Sequence, residues 1–122
     1  MTATKRVLVV DDEEDIREGV SMWLDAAGFE SIQACDGCEG LDLAASERPS
    51  AIFLDMMMPN KNGIETLTDL RRSEATVDIP VVMLSASLRD EQKALDAGAR
   101  FFVHKPYHGP VLIEALRAAL DE

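Results

Sequence analysis

Residues Ala51 to Gly63 read AIFLDMMMPNKNG, and this stretch decides the fold. Ala51 to Leu54 is a short, wholly apolar run, the pattern of a strand buried on both faces. Asp55 closes it. A carboxylate at the end of such a strand is costly unless another group compensates it. Pro59 and Asn60 then break the chain, and Asn62-Gly63 opens a helix on whose inner face lie Ile64, Leu67 and Leu70. A strand buried on both sides and followed at once by a helix is the unit of a parallel α/β sheet.

The same unit recurs along the chain. Arg6 to Val10 is a strand rich in β-branched residues. Glu14 to Ala27 has a helical period, with Ile16, Val20, Trp23, Leu24 and Ala27 on one face and Gly28 as its C-terminal cap. Glu30 to Ala34 is a weaker strand. Asp36-x-x-Glu39 has the spacing of a capping box and opens a helix running to about Glu47, before Pro49. Pro80 precedes the strand Val81 to Leu84, and Ser87-x-x-Asp90 is expected to cap a helix ending at Gly98. Phe101 to His104 is the fifth strand. Pro110 suits the first turn of a last helix that turns Leu112, Ala115, Leu116 and Ala119 inward and ends near Glu122. Alternating strands and helices predict a parallel sheet covered on both faces, with right-handed crossovers. For five strands the expected order is the flavodoxin-like 2-1-3-4-5.

The polar residues at the strand ends then form a group. Strand one ends in Asp11 and Asp12, strand three in Asp55, strand four in Ser85 and strand five in Lys105. Ligands of open α/β sheets bind beyond the carboxyl ends of the strands, where the strand order reverses. In a 2-1-3 arrangement that point lies between strands one and three, so the three aspartates converge. Crowded carboxylates resist ionisation. A hard divalent cation relieves them, and a site with room for water and phosphate favours Mg²⁺ over Ca²⁺. A cation, a lysine and a hydroxyl make a cradle for a phosphoryl group, beside which a carboxylate can act as nucleophile. A purely structural reading, in which the acids of residues 12 to 15 complement a helix dipole, accounts for Glu13, Glu14 and Asp15 but not for Asp55 or Lys105.

Bulk properties are consistent with this. The chain has 122 residues, 47% hydrophobic and 29% charged, within the range of one globular domain spanning 1–122. Its net charge of -11 argues against direct binding to nucleic acid or to an anionic membrane surface. No apolar run has the length of a membrane helix or of a signal-peptide core, so a cytoplasmic location is expected. Cys35 and Cys38 form a C-x-x-C, but zinc needs four ligands and no second pair exists. Asp36 and Glu39 would also raise the thiol pKa, so a strand end and helix cap explain the segment better. Of Met56 to Met58, one is expected to pack inward and two to line the rim of the site, in preference to binding copper. His104 and His108 read as packed or solvated histidines.

VVDDE at the end of strand one, FLDMMMP with NG beyond it, VVMLSAS, GA at Gly98-Ala99 and HKP at 104 to 106 follow in one order over the whole chain. In this the chain resembles the CheY-like receiver domains of two-component response regulators. The resemblance implies that Asp55 is the phosphoacceptor, that Asp12 ligates Mg²⁺ directly and Asp11 through water, and that Met57 offers its backbone carbonyl to the metal. It makes Ser85 the switch hydroxyl, Lys105 the phosphate-pairing lysine and Phe102 the switch aromatic, and it implies a cis bond before Pro106. The implied donor is a histidine kinase or phosphotransfer protein. The implied output partner, a protein or domain, binds the face formed by helix four, strand five and helix five. The segment between Ser85 and Lys105 is slightly shorter than the family pattern, which bears on that face, and Phe102 lacks the hydroxyl of the usual tyrosine. The sequence suits a stand-alone regulator or the receiver of a larger one.

Two other functions fit less well. A haloacid-dehalogenase-like, Mg²⁺-dependent phosphatase needs a proton donor two residues after its aspartate, where this chain has Met57. A flavodoxin-like FMN binder needs a phosphate loop after strand one, where Asp11 to Asp15 would repel phosphate.

Overall fold

The structure, a computed structural model, describes residues 4–58, 61–87 and 89–121. Pro59 and Asn60 of the deciding stretch, and Glu122 at the expected end of the last helix, lie outside the described residues.

Five strands and five helices alternate: β1 (Arg6–Val10), α1 (Glu14–Ala26), β2 (Glu30–Ala34), α2 (Gly37–Glu47), β3 (Ala51–Asp55), α3 (Gly63–Arg72), β4 (Val81–Ser85), α4 (Asp90–Asp96), β5 (Phe101–His104) and α5 (Gly109–Ala119). The strands form one parallel sheet in the order β2-β1-β3-β4-β5, as expected.

The period-two alternation of a strand divides the core. Val7 and Val9 of β1, with Phe53, Val82 and Leu84, pack against Val20 and Leu24 of α1 and Leu112 and Leu116 of α5. Leu8 and Val10, with Ile52, Leu54 and Met83, face the other way, against Ala44, Leu67, Leu70 and Ala94 of α2, α3 and α4. The sheet therefore separates two half-cores. β3 and β4 are buried throughout, and β2 at one edge is only partly covered.

Local details depart from the sequence reading where side chains had a choice of partner. Asp36 caps α2 by accepting from the Glu39 N–H, but the Glu39 carboxylate reaches past Asp36 to the Cys35 N–H, so the box is only half formed. Ser87 does not cap α4: the N-cap is Arg89 with no side-chain cap bond. A full capping box does form at α3, between Asn62 and Glu65. Trp23 is not inside the core; it is 46% exposed and lies over Gly109. Met56 and Met58 are both buried, and Met57 alone faces out.

Candidate functional site

Register brings the site together. Val10 of β1 pairs with Leu54 of β3, so the next residues, Asp11 and Asp55, come side by side at the carboxyl end of the sheet. The Lys105 N–H donates to the Ser85 carbonyl at 2.8 Å, which ties the ends of β4 and β5. Gly63, the first residue of α3, lies against the backbone at the end of β3, where a β-carbon would sit 2.6 Å from the Asp55 carbonyl oxygen and 2.8 Å from the Met56 Cα. Only glycine permits so close an approach. The sequence marked it through Asn62-Gly63, though as a helix start and not as a wall of the site.

Asp11 and Asp55 are buried, 1% and 3% exposed, while Asp12 is exposed. Carboxylate oxygens of all three lie within 4.8 Å of one another. One oxygen of Asp11, Oδ1, accepts from the Glu13 N–H at 2.9 Å, and its Oδ2 is buried without a hydrogen-bond partner. Lys105 Nζ donates to Asp55 Oδ1 at 2.7 Å and lies 3.8 Å from Asp11 Oδ2. Arg17 from α1 donates to the Asp11 carbonyl at 2.7 Å and so steadies the loop after β1.

Burial sets the electrostatics. It pushes the Asp55 carboxyl up to about 6, against the opposing hydrogen bond from Lys105 and with the added repulsion of Asp11. Burial raises Asp11 as well, only partly offset by the Glu13 N–H and by Lys105. Lys105 is itself disfavoured as a cation by burial, but its hydrogen bond to Asp55 and the nearby acids hold its pKa above the ordinary lysine value. An orphaned buried oxygen, three crowded carboxylates and an all-oxygen donor set fit a hard divalent cation such as Mg²⁺.

The remaining expected residues lie on β4 and β5 and in the loops after β3 and β5. Ser85 is 1% exposed at the end of β4. Its hydroxyl does not point at Asp55: it donates to Asp90 Oδ2 at 3.0 Å and accepts from the Ser87 N–H at 3.1 Å. The Lys105–Pro106 bond is cis. Phe102 is half-buried and meets the His104 ring edge-on, at 4.9 Å between centroids. Met57 turns its side chain outward beside the acids. Sequence reasoning missed Tyr107, which lines a shallow apolar hollow with Ile16, Ala86, Lys105 and Pro106 next to the site. Cys35 and Cys38 are exposed free thiols, and the Glu39 carboxylate pushes Cys35 further from the thiolate form.

Known proteins resemble this chain in sequence and fold. The response regulator receiver domain family matches residues 7–117. The chain is 37% identical over 118 residues to the phosphate regulon transcriptional regulatory protein PhoB of Pseudomonas aeruginosa, covering 95% of this chain and 52% of that protein. It is 38% identical over 117 residues to the DNA-binding dual master transcriptional regulator RpaA of Synechocystis, covering 94% of this chain and 48% of that one. The chain thus spans about half the length of these curated relatives. Among solved structures, chemotaxis protein CheY4 of Vibrio cholerae superposes with a TM-score of 0.90 at 33% identity, over 96% of this chain and 99% of that one. With the family matched almost from end to end, and the strand order and strand-end residues in place, the chain belongs to the response regulator receiver domains of two-component signalling.

Proposed function

We propose that Asp55 accepts a phosphoryl group from a phosphohistidine on a histidine kinase or phosphotransfer protein, and that the protein thereby switches the conformation it offers to an output partner. The observation that carries this is the gathering of Asp11, Asp12 and Asp55 oxygens within 4.8 Å beside the Lys105 ammonium. Asp11, Asp12, Asp55 and the Met57 carbonyl would hold Mg²⁺, which when bound supplies positive charge against the anionic oxygens of an incoming phosphoryl group.

The chain's own groups do the rest. With its carboxyl at about 6, Asp55 is mostly ionised at neutral pH and so is a competent nucleophile. A carboxylate oxygen attacks phosphorus, the P–N bond to the donor imidazole breaks, and its electron pair returns to that ring nitrogen. Lys105, held at 2.7 Å from Asp55 before reaction, is placed to pair with the new phosphoryl oxygens. Ser85 supplies a hydroxyl donor from the neighbouring strand end, and Phe102 on β5 is the aromatic that repacks as Ser85 moves. The readout is a shift between two populations of the α4–β5–α5 face. A complete reversal requires about 5.5 kcal/mol of differential stabilisation. On this reading the protein is a signalling domain that catalyses only its own phosphorylation and dephosphorylation.

Among the described residues no helix is long and apolar enough to cross a membrane, and the -11 charge disfavours direct contact with nucleic acid, so we place this domain in the cytoplasm with protein partners. DNA binding, named for the relative RpaA, would belong to another part of a longer protein. The test is the intact mass after exposure to acetyl phosphate with and without Mg²⁺. One added phosphoryl group, dependent on Mg²⁺ and lost in Asp55→Asn, is expected. Mass gain that survives in Asp55→Asn would overturn the assignment.

A further inference from the structure

The Ser85 hydroxyl carries one proton, and it already has a recipient. It donates to Asp90 Oδ2 at 3.0 Å, at the first residue of α4, while the hydroxyl oxygen accepts from the Ser87 N–H at 3.1 Å. A hydroxyl has a single donor. Ser85 cannot serve Asp90 and a phosphoryl oxygen on Asp55 at once. Because the side chain is 1% exposed, water offers little alternative to either.

We infer that Asp90 is a positioning residue for the Ser85 switch: it holds the hydroxyl away from the site at rest and competes with the phosphoryl group for it. This rests on the receiver chemistry proposed above. The bond also couples the site to a helix. α4 is only seven residues long, from Asp90 to Asp96, and has no side-chain N-cap bond. Its first turn is tied to the sheet through Asp90 on Ser85, and its next residue, Glu91, brings Oε2 to 3.9 Å from His104 Nε2. His104 in turn is the ring against which Phe102 packs. When Ser85 turns to the phosphoryl group, Asp90 loses its donor, and the start of α4 is freed beside Phe102. The hydroxyl is thus one token passed between two acceptors, Asp90 at rest and phospho-Asp55 in the active state.

The experiment compares wild type, Asp90→Ala, Asp90→Asn and Ser85→Ala, together with the double variant Ser85→Ala/Asp90→Ala. The first readout is the fraction phosphorylated at limiting acetyl phosphate with Mg²⁺. Removing the competing acceptor should raise the phosphorylated-to-free ratio roughly threefold to tenfold in Asp90→Ala, the range for the net worth of a typical intramolecular hydrogen bond. The neutral acceptor of Asp90→Asn should give an intermediate rise. In the Ser85→Ala background the Asp90 substitution should change nothing. A rise of equal size in both backgrounds, or none in either, would overturn the inference. The second readout needs no phosphorylation. Exchange of the amides hydrogen-bonded within α4 should quicken to the same degree in Ser85→Ala and Asp90→Ala, and exchange unaltered by both would equally overturn it. If wild type takes up no phosphoryl group, the receiver chemistry fails, and the exchange data alone still judge the Ser85–Asp90 bond.

Discussion

Lys105 Nζ sits 2.7 Å from Asp55 Oδ1, so the cation of the fifth strand end is already paired with the acid of the third. Replacing it by methionine keeps the length of the side chain and removes the charge. Lys105→Met should slow phosphorylation by acetyl phosphate by about a hundred- to a thousandfold, as expected for one lost electrostatic donor. Binding of Mg²⁺ should persist, because the three carboxylates remain. Stopped-flow phosphorylation and metal titration would separate the two effects; loss of metal binding would show that Lys105 organises the acids instead.

The raised Asp55 carboxyl has a consequence for stability. Its folded value of about 6 lies above the ordinary 3.8, so the fold favours the protonated form. That contribution is fully present below about pH 4 and is lost as pH rises through about 6. The loss is on the order of 2–3 kcal/mol. Asp55→Asn cannot ionise and escapes it. With a chelator present, the stability of Asp55→Asn relative to wild type should increase between about pH 4 and 6 and level off above 7. Urea denaturation across that range measures it, and a flat difference would mean that ionised Asp55 is not disfavoured by its surroundings. At neutral pH, Mg²⁺ should raise the wild-type melting temperature and have much less effect on the variant.

Gly63 presses on the strand end that carries Asp55, and its neighbours are backbone atoms that cannot step aside. Gly63→Ala should therefore displace the start of α3 or the end of β3. Expected results are a destabilisation of about 1–3 kcal/mol and a weaker Mg²⁺ affinity. Wild-type metal affinity in a folded Gly63→Ala protein would show that the contact matters only to packing.

Arg71, in the last turn of α3, holds the loops before β4 and β5 together. Its Nη1 donates to the Ile79 carbonyl at 2.9 Å and the Val77 carbonyl at 3.1 Å, and its Nη2 to the Gly98 carbonyl at 2.9 Å. Burial lowers its pKa, with Arg100 adding repulsion. Arg71→Ala should cost about 2–4 kcal/mol through lost donors to several carbonyls. Arg71→Lys should recover little, since a point charge cannot reproduce the planar fork. Thermal denaturation of the two variants tests this; near-complete rescue by lysine would show that charge alone suffices.

The strand ends were legible because each polar residue interrupted an apolar run at the same point of a repeated unit. Asp55 after AIFL and Lys105 after FFVH could be placed from order alone, and the sheet brought them within hydrogen-bonding distance. Choices among competing partners were not legible. Nothing in Ser87-x-x-Asp90 reveals that Asp90 takes the Ser85 hydroxyl and not a role in a cap. Glu39 preferred the Cys35 N–H to that of Asp36 for a similarly local reason. Arg71 escaped notice because its partners are carbonyls, which every residue has. Trp23 fell on the apolar helical face by period, yet Gly109 left a shallow seat on the surface where the ring rests half outside.

Among the described residues, the two half-cores on opposite sides of the sheet share no side chains. Truncations such as Leu67→Ala on one side and Leu116→Ala on the other should then sum, within about 0.3–0.5 kcal/mol. Helices α2 to α4 accordingly form one thermodynamic compartment and α1 and α5 a second, so that a surface built from α4 and α5 draws on both.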